Sequence, residues 1–159
     1  MPEHPFAPVF DAHSRVLVLG SFPSVKSREN GFYYGHPQNR FWRMLAGVYG
    51  VAPPVSIEEK TALLLSRRIA LWDAAAACEI EGSMDRDMRC VRLNDLGRVL
   101  DAADIGLVLA NGRLAGELYG RYQGLNKPPV RVLPSTSPAN AAWSLKQLCI
   151  KWAESLPDS

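Results

Sequence analysis

Two segments of this 159-residue chain concentrate side chains able to bind or transform a small planar group. The first runs from Gly20-Ser-Phe-Pro-Ser24 through Asn30-Gly-Phe-Tyr-Tyr-Gly-His-Pro-Gln-Asn-Arg-Phe-Trp42. It sets Phe32, Tyr33 and Tyr34 beside two glycines, then places His36, Asn39 and Arg40 at the expected start of a helix. Flat aromatic faces next to amide and imidazole groups suit a planar heterocycle held by stacking and edge hydrogen bonds. The same rings would equally serve to cover a core. The second segment, Leu133-Pro-Ser-Thr-Ser-Pro-Ala-Asn140, offers the hydroxyls of Ser135, Thr136 and Ser137 ahead of another expected helix. With their backbone N–H groups they suit a phosphate cradle, or simply a helix cap.

Other chemistries find little support. Cys78, Cys90 and Cys149 are an odd count without a C-x-x-C pair, and His4, His13 and His36 are scattered, so neither a disulfide scaffold nor a metal site is expected. Ser24 lacks the Gly-x-Ser-x-Gly elbow of a covalent serine nucleophile. Lys26 is the lysine near the first segment that could form a Schiff base, but nothing around it would depress its pKa, so it reads as a phosphate-contacting or solvated loop residue.

These residues need a scaffold, and the apolar pattern supplies one. Apolar runs at residues 15–20, 69–73, 105–111 and 130–134 read as buried strands. Helical patterns lie between and after them, at residues 38–49, 56–67, 94–102, 113–122 and 140–156, and Ser56-Ile-Glu-Glu59 reads as a capping box. Strands apolar throughout and alternating with helices predict a three-layer α/β/α fold with a four-stranded, mostly parallel sheet. Ligands bind such sheets at the carboxyl ends of the strands, which singles out the loops at 21–39, 73–92, 111–113 and 135–140.

The length and the apolar fraction of 47% suit one domain spanning residues 1–159, with a core at about residues 14–152. No apolar run approaches the roughly 20 residues of a membrane span, and Met1-Pro-Glu-His-Pro5 does not resemble a secretory leader, so a soluble cytoplasmic protein is expected. The net charge is only +2, but residues 105–152 carry six Lys/Arg against Glu117 alone. That suits a polyanion-binding face or an ordinary solvated one.

The first segment resembles motif one of the uracil-DNA glycosylase superfamily, particularly the mismatch-specific enzymes with Gly-x-Asn-Pro-Gly, a loop, and Gly-Phe-x-Phe-x-His-Pro-x-Asn-Arg-Phe-Trp. The spacing from Pro23 to Trp42 agrees without a gap. Leu133 to Asn140 sits where the superfamily has its His/Asn-Pro-Ser motif. One departure matters: the acid or amide that commonly precedes the motif-one proline is here Phe22, which can neither accept a proton nor hold water. With Ser24, Ala70-Leu-Trp-Asp73, Glu81-Gly-Ser-Met-Asp85 and Pro134 to Asn140, this is similar to the sixth family, the hypoxanthine-DNA glycosylases.

That resemblance implies a cofactor-free, metal-free monofunctional enzyme, acting as a monomer on DNA that contains deaminated bases, in base excision repair. A uracil or broader base preference, or a non-catalytic DNA-binding relative, are the alternative readings. It also implies that Asn39 is the catalytic group and that Tyr34 stacks on the flipped base. Ser21, Phe22, His36 and Asp73 would line the base pocket, and Ser24, Lys26, Ser135, Thr136, Ser137 and Asn140 would contact DNA. His36 could instead bond phosphate or serve a structural turn, and Asp73 could cap one. Asn111-Gly112 is a weaker candidate.

The chemistry admits such a role for an amide. Dissociative cleavage of an N-glycosidic bond builds positive charge on the sugar and negative charge on the base, so neutral preorganised donors can lower the barrier without a general base. The Asn39 NH2 could donate to the departing base, or its carbonyl could orient the attacking water; a helix cap is the structural alternative. Because no step calls on a metal, base release should proceed at an unchanged rate in EDTA. Activity lost to chelator and restored by a divalent cation would defeat this chemistry.

Overall fold

A computed structural model describes residues 6–22, 29, 31–80, 88–125 and 127–158. The buried apolar runs form a four-stranded sheet: β1 (Val16–Gly20), β2 (Ile69–Asp73), β5 (Leu107–Asn111) and β6 (Val130–Leu133). The order is β2-β1-β5-β6 and every pairing is parallel. All residues of β1 and β2 are buried, whereas three of the four in β6, an edge strand, are exposed. The chain leaves β1 for β2 on one side and then continues to β5 and β6 on the other. Connections therefore diverge from β1 and β5, and a crevice opens at their carboxyl ends.

Five helices flank the sheet among the described residues. Helix α1 (Phe41–Tyr49) buries Phe41, Trp42, Met44 and Leu45 and stops at Gly50, whose φ of 65° closes the turn without a Cβ penalty. Helix α2 (Ile57–Ser66) starts at the expected box, with Ser56 and Glu59 satisfying each other's backbone N–H groups. Helix α4 (Arg113–Gly120) packs on β5 and β6, and α5 (Leu145–Ala153) packs on α1, with the Phe41 and Trp152 rings edge to face at 6.1 Å. No helix among the described residues is long and apolar enough to cross a membrane.

Three segments depart from the sequence pattern. Residues 73–92, read as a loop, hold an antiparallel pair, β3 (Ala75–Ile80) and β4 (Met88–Leu93), whose connection lies outside the described residues. The alanines at 74–77 carry little strand propensity, which hid β3. The helix expected at 94–102 shrinks to α3 (Gly97–Leu100), because the Asn94 side chain bonds the carbonyls of Asp73 and Ala75 and so belongs to the bend after β2. The last helix begins at Leu145 rather than Asn140. Ser144 and Gln147 form a second capping box there, while Arg40 holds the carbonyls of Ser137, Asn140 and Trp143.

Removing the Ser144 hydroxyl should leave the Gln147 N–H without its acceptor. Ser144→Ala is expected to lower stability by about 1 kcal/mol, which for a chain of this size is a fall in Tm of roughly 2–4 °C by thermal denaturation.

Candidate active site

Each strand of the sheet delivers a polar group to its carboxyl edge. In spatial order these are Asp73 ending β2, the backbone of Gly20 ending β1, Asn111 ending β5, and Ser135 and Thr136 just beyond β6. Asp73 and Gly20 are register partners, and a Cβ at Gly20 would overlap Asp73 Oδ1 and lie 2.8 Å from the Tyr34 hydroxyl. Glycine is thus required so that the buried carboxylate and the tyrosine can meet over the end of β1.

Of the three clustered aromatics, Tyr34 alone joins this row. Tyr33 is buried in the core, donating its hydroxyl to Ala7 O at 2.7 Å, and Phe32 stacks on Trp42 at 6.2 Å. The Tyr34 ring packs on Phe41 with centroids 4.4 Å apart, so one ring face is occupied and only the other can meet a ligand. Its φ of 53° is left-handed backbone, which for a bulky residue costs on the order of 1–2 kcal/mol. Burial first, then the Asp73 carboxylate, push its phenol well above the ordinary value, so it is neutral. Its hydroxyl is buried beside Asn111 without a well-aligned partner.

Asn39 stands at the other end of the row, half-buried just before α1. Its Oδ1 accepts the Phe41 N–H at 2.9 Å and the Thr136 hydroxyl at 2.9 Å. Asn111 Nδ2 donates to that hydroxyl at 3.0 Å, and Thr136 N–H donates to Asn111 Oδ1 at 3.0 Å. Asn39, one residue before the N-cap Arg40, therefore satisfies the first N–H of the helix and is also wired to β5 and the loop after β6.

Arg40 ties the same two segments from its backbone and its side chain. Its N–H donates to Thr136 O at 3.0 Å, and its guanidinium donates to the carbonyls of Ser137 (2.9 Å), Asn140 (3.0 Å) and Trp143. Sequence reasoning placed Arg40 beside Asn39 without a role and gave Asn111 little weight; a planar fork three residues from a motif proline was the one available signal.

The remaining candidates divide. His36 Nδ1 accepts the Gln38 N–H at 3.0 Å, so the neutral ring carries its proton on Nε2, and His36 O accepts the Asn39 N–H at 2.9 Å. Ser21 follows β1 and its carbonyl accepts the Ala75 N–H, while Phe22 lies almost wholly in the core. Thr136 is a correction: it is fully buried, its hydroxyl lies between Asn39 and Asn111, and it cannot reach a phosphate. Ser135 and Ser137 accept the N–H groups of Ser137 and Ala139, forming local turns that are not continuous with the helix starting at Leu145. Asn140 Nδ2 donates to Ser135 O. Ser24, Lys26 and residues 81–85 lie outside the described residues.

Beside Asn39 an open depression of about 360 Å³ is lined by Pro37, Gln38, Arg40, Arg43, Pro138 and Ala141, joining both motif segments. Arg43 is exposed at its rim. Among the described residues no group of three His, Cys, Asp or Glu is placed to hold a metal ion.

Comparison with known proteins adds an independent finding. Residues 7–154 match the family described as the Uracil DNA glycosylase superfamily. A hypoxanthine DNA glycosylase of Methanosarcina barkeri is 33% identical over 156 residues, covering 97% of this chain and 98% of that protein. One from Methanosarcina acetivorans is 36% identical over 141 residues, covering 87% and 89%. The fold is similar, with a TM-score of 0.81 at 33% identity, to the solution NMR structure of a candidate uracil DNA glycosylase from Methanosarcina acetivorans, over 96% of this chain and 95% of that one.

The crowding at Gly20 is directly testable. Gly20→Ala must displace Asp73 or Tyr34 and should destabilise the protein by about 1–3 kcal/mol in urea unfolding. A variant as stable as the parent would show that the approach of these groups is not tight.

Proposed function

The chain belongs to the uracil DNA glycosylase superfamily and is a DNA glycosylase for deaminated bases; we propose that it prefers hypoxanthine and that Asn39 makes the catalytic contact. The observation that carries this reading is the polar row at the sheet's carboxyl edge, with an amide of fixed placement at one end and a buried carboxylate at the other.

A base flipped into this crevice would stack on the free face of Tyr34. Hypoxanthine bears a ring N1–H where adenine has a lone pair. The Asp73 carboxylate, an acceptor only, suits the first and repels the second, so undamaged adenine would be rejected by an unpaired polar contact. Phe22, almost wholly buried in the core, would bound the pocket from within and offer the base no hydrogen bond. His36 Nε2–H and the Ser21 N–H would be further donors to the base.

Cleavage of the C1′–N9 bond leaves the electron pair on the purine and an oxocarbenium on the sugar. Water then adds at C1′, and the proton it loses balances the one the purine anion takes up, giving the free base and an abasic site. Donors aimed at the purine stabilise the charge it acquires. Ser135, Ser137, Asn140 and Arg43 at the rim of the depression would contact DNA phosphates.

Single-turnover release from duplexes bearing deoxyinosine or deoxyuridine tests the reading. Hypoxanthine should leave faster than uracil; the reverse order would replace it with the uracil preference. Asn39→Ala should slow release by on the order of 10²–10³-fold, a loss of about 2.7–4 kcal/mol, as for one oxyanion donor. Melting must be followed in parallel, since the lost helix cap costs about 1 kcal/mol. A folded Asn39→Ala protein with the parental rate would move catalysis to another residue.

A further inference from the structure

Resting on the reading of Asn39 as the catalytic group, we propose that Thr136 and Asn111 are positioning residues that hold its amide in one orientation. They turn Nδ2 toward the departing base and withhold the carbonyl from water. The argument follows from which groups can only donate. Thr136 N–H has no choice of role, so the group facing it at 3.0 Å must be the Asn111 oxygen. That places Asn111 Nδ2, also a donor only, against the Thr136 hydroxyl at 3.0 Å. Having accepted there, the hydroxyl directs its single proton to Asn39 Oδ1 at 2.9 Å. At the far end Phe41 N–H donates to the same oxygen, also at 2.9 Å.

Two backbone N–H groups thus set the direction of the whole relay, one at each end. The Asn39 carbonyl receives two donors, which fill its lone pairs, and flipping the amide would set NH2 against both. Water cannot be oriented by an oxygen so occupied. Nδ2 has no acceptor among the described residues and is the arm left for the substrate. Thr136 is fully buried, so water does not compete for its hydroxyl, and Arg40 N–H fixes its carbonyl at 3.0 Å. Donation into Oδ1 also polarises the amide and makes its NH2 a stronger donor to a base acquiring negative charge.

The test is single-turnover hypoxanthine release by the full chain, with affinity measured on a duplex carrying a 2′-fluoro deoxyinosine that resists cleavage. Thr136→Val removes the hydroxyl at nearly constant shape and should slow release about 10-fold, the worth of one hydrogen bond, with affinity changed by less than about 2-fold. Thr136→Ser should restore the rate. Asn39→Asp keeps an oxygen for Phe41 and Thr136 but loses the NH2, and should be as slow as Asn39→Ala. In an Asn39→Ala background, Thr136→Val should cost nothing further, because it acts only through the missing amide. A parental rate for Thr136→Val, losses that multiply in the double variant, or an active Asn39→Asp would each overturn the positioning role while leaving Asn39 catalytic. A parental rate for Asn39→Ala would remove both readings. Should Thr136→Val not fold, Asn111→Asp decides: it retains the acceptor for Thr136 N–H, loses the donor, and must show the same slowing and the same dependence on Asn39.

Discussion

The hydrogen bonds that join residues 39–40 to the loop after β6 are the constraint on which the carboxyl edge of the sheet depends. These two segments are about a hundred residues apart in the chain. Neither is regular secondary structure, so their backbone carbonyls have no ladder or helix to satisfy them. Arg40 supplies the donors: one guanidinium reaches three carbonyls, and the backbone N–H reaches a fourth at Thr136. Charged donors contribute roughly 1.5–3 kcal/mol per hydrogen bond, enough to offset the ordering of a loop that turns back on itself. A lysine could not make the same planar fork.

From that suture follow the features of the site. The loop after β6 is held short of helix until Ser144, which leaves Thr136 facing inward rather than toward solvent. The hydroxyl that would otherwise be one more polar surface group becomes the bridge between Asn111 and Asn39. On the other side of the row, the absence of a side chain at Gly20 lets Asp73 and Tyr34 crowd over the end of β1, and the strained backbone of Tyr34 is held by its packing on Phe41. Strained backbone and close approach thus meet at the end of β1, while two of the helices behind the sheet, α2 and α5, start at capping boxes.

On the proposed reading of Asn39, the chain would need no acid or amide at the position of Phe22. A dissociative reaction needs charge stabilisation more than proton abstraction, and a neutral amide of fixed orientation would provide it with no reorganisation. The cost lies in fixing that amide, and the fold meets it with the Phe41 N–H and the Thr136 hydroxyl, which both donate to its oxygen.

Much of this was legible in the residues themselves. Four apolar strands broken by helical periods specify a parallel sheet, because a strand buried on both faces must be apolar throughout. The Ser56 box was readable because capping is local, and the two motif segments because their side-chain chemistry and spacing are local too. What tertiary structure alone decided was the company each residue keeps. Tyr33 and Tyr34 are neighbours of the same type, yet one fills the core and the other joins the polar row. Thr136, flanked by serines that form surface turns, is the buried link in a relay. Asn111 and Arg40 carried no pattern of their own, since hydrogen bonds across 25 residues for the first and 97 for the second leave no periodicity in the sequence. Local propensity reads the elements; the direction of a donor toward an acceptor exists only once the sheet has brought four strand ends together.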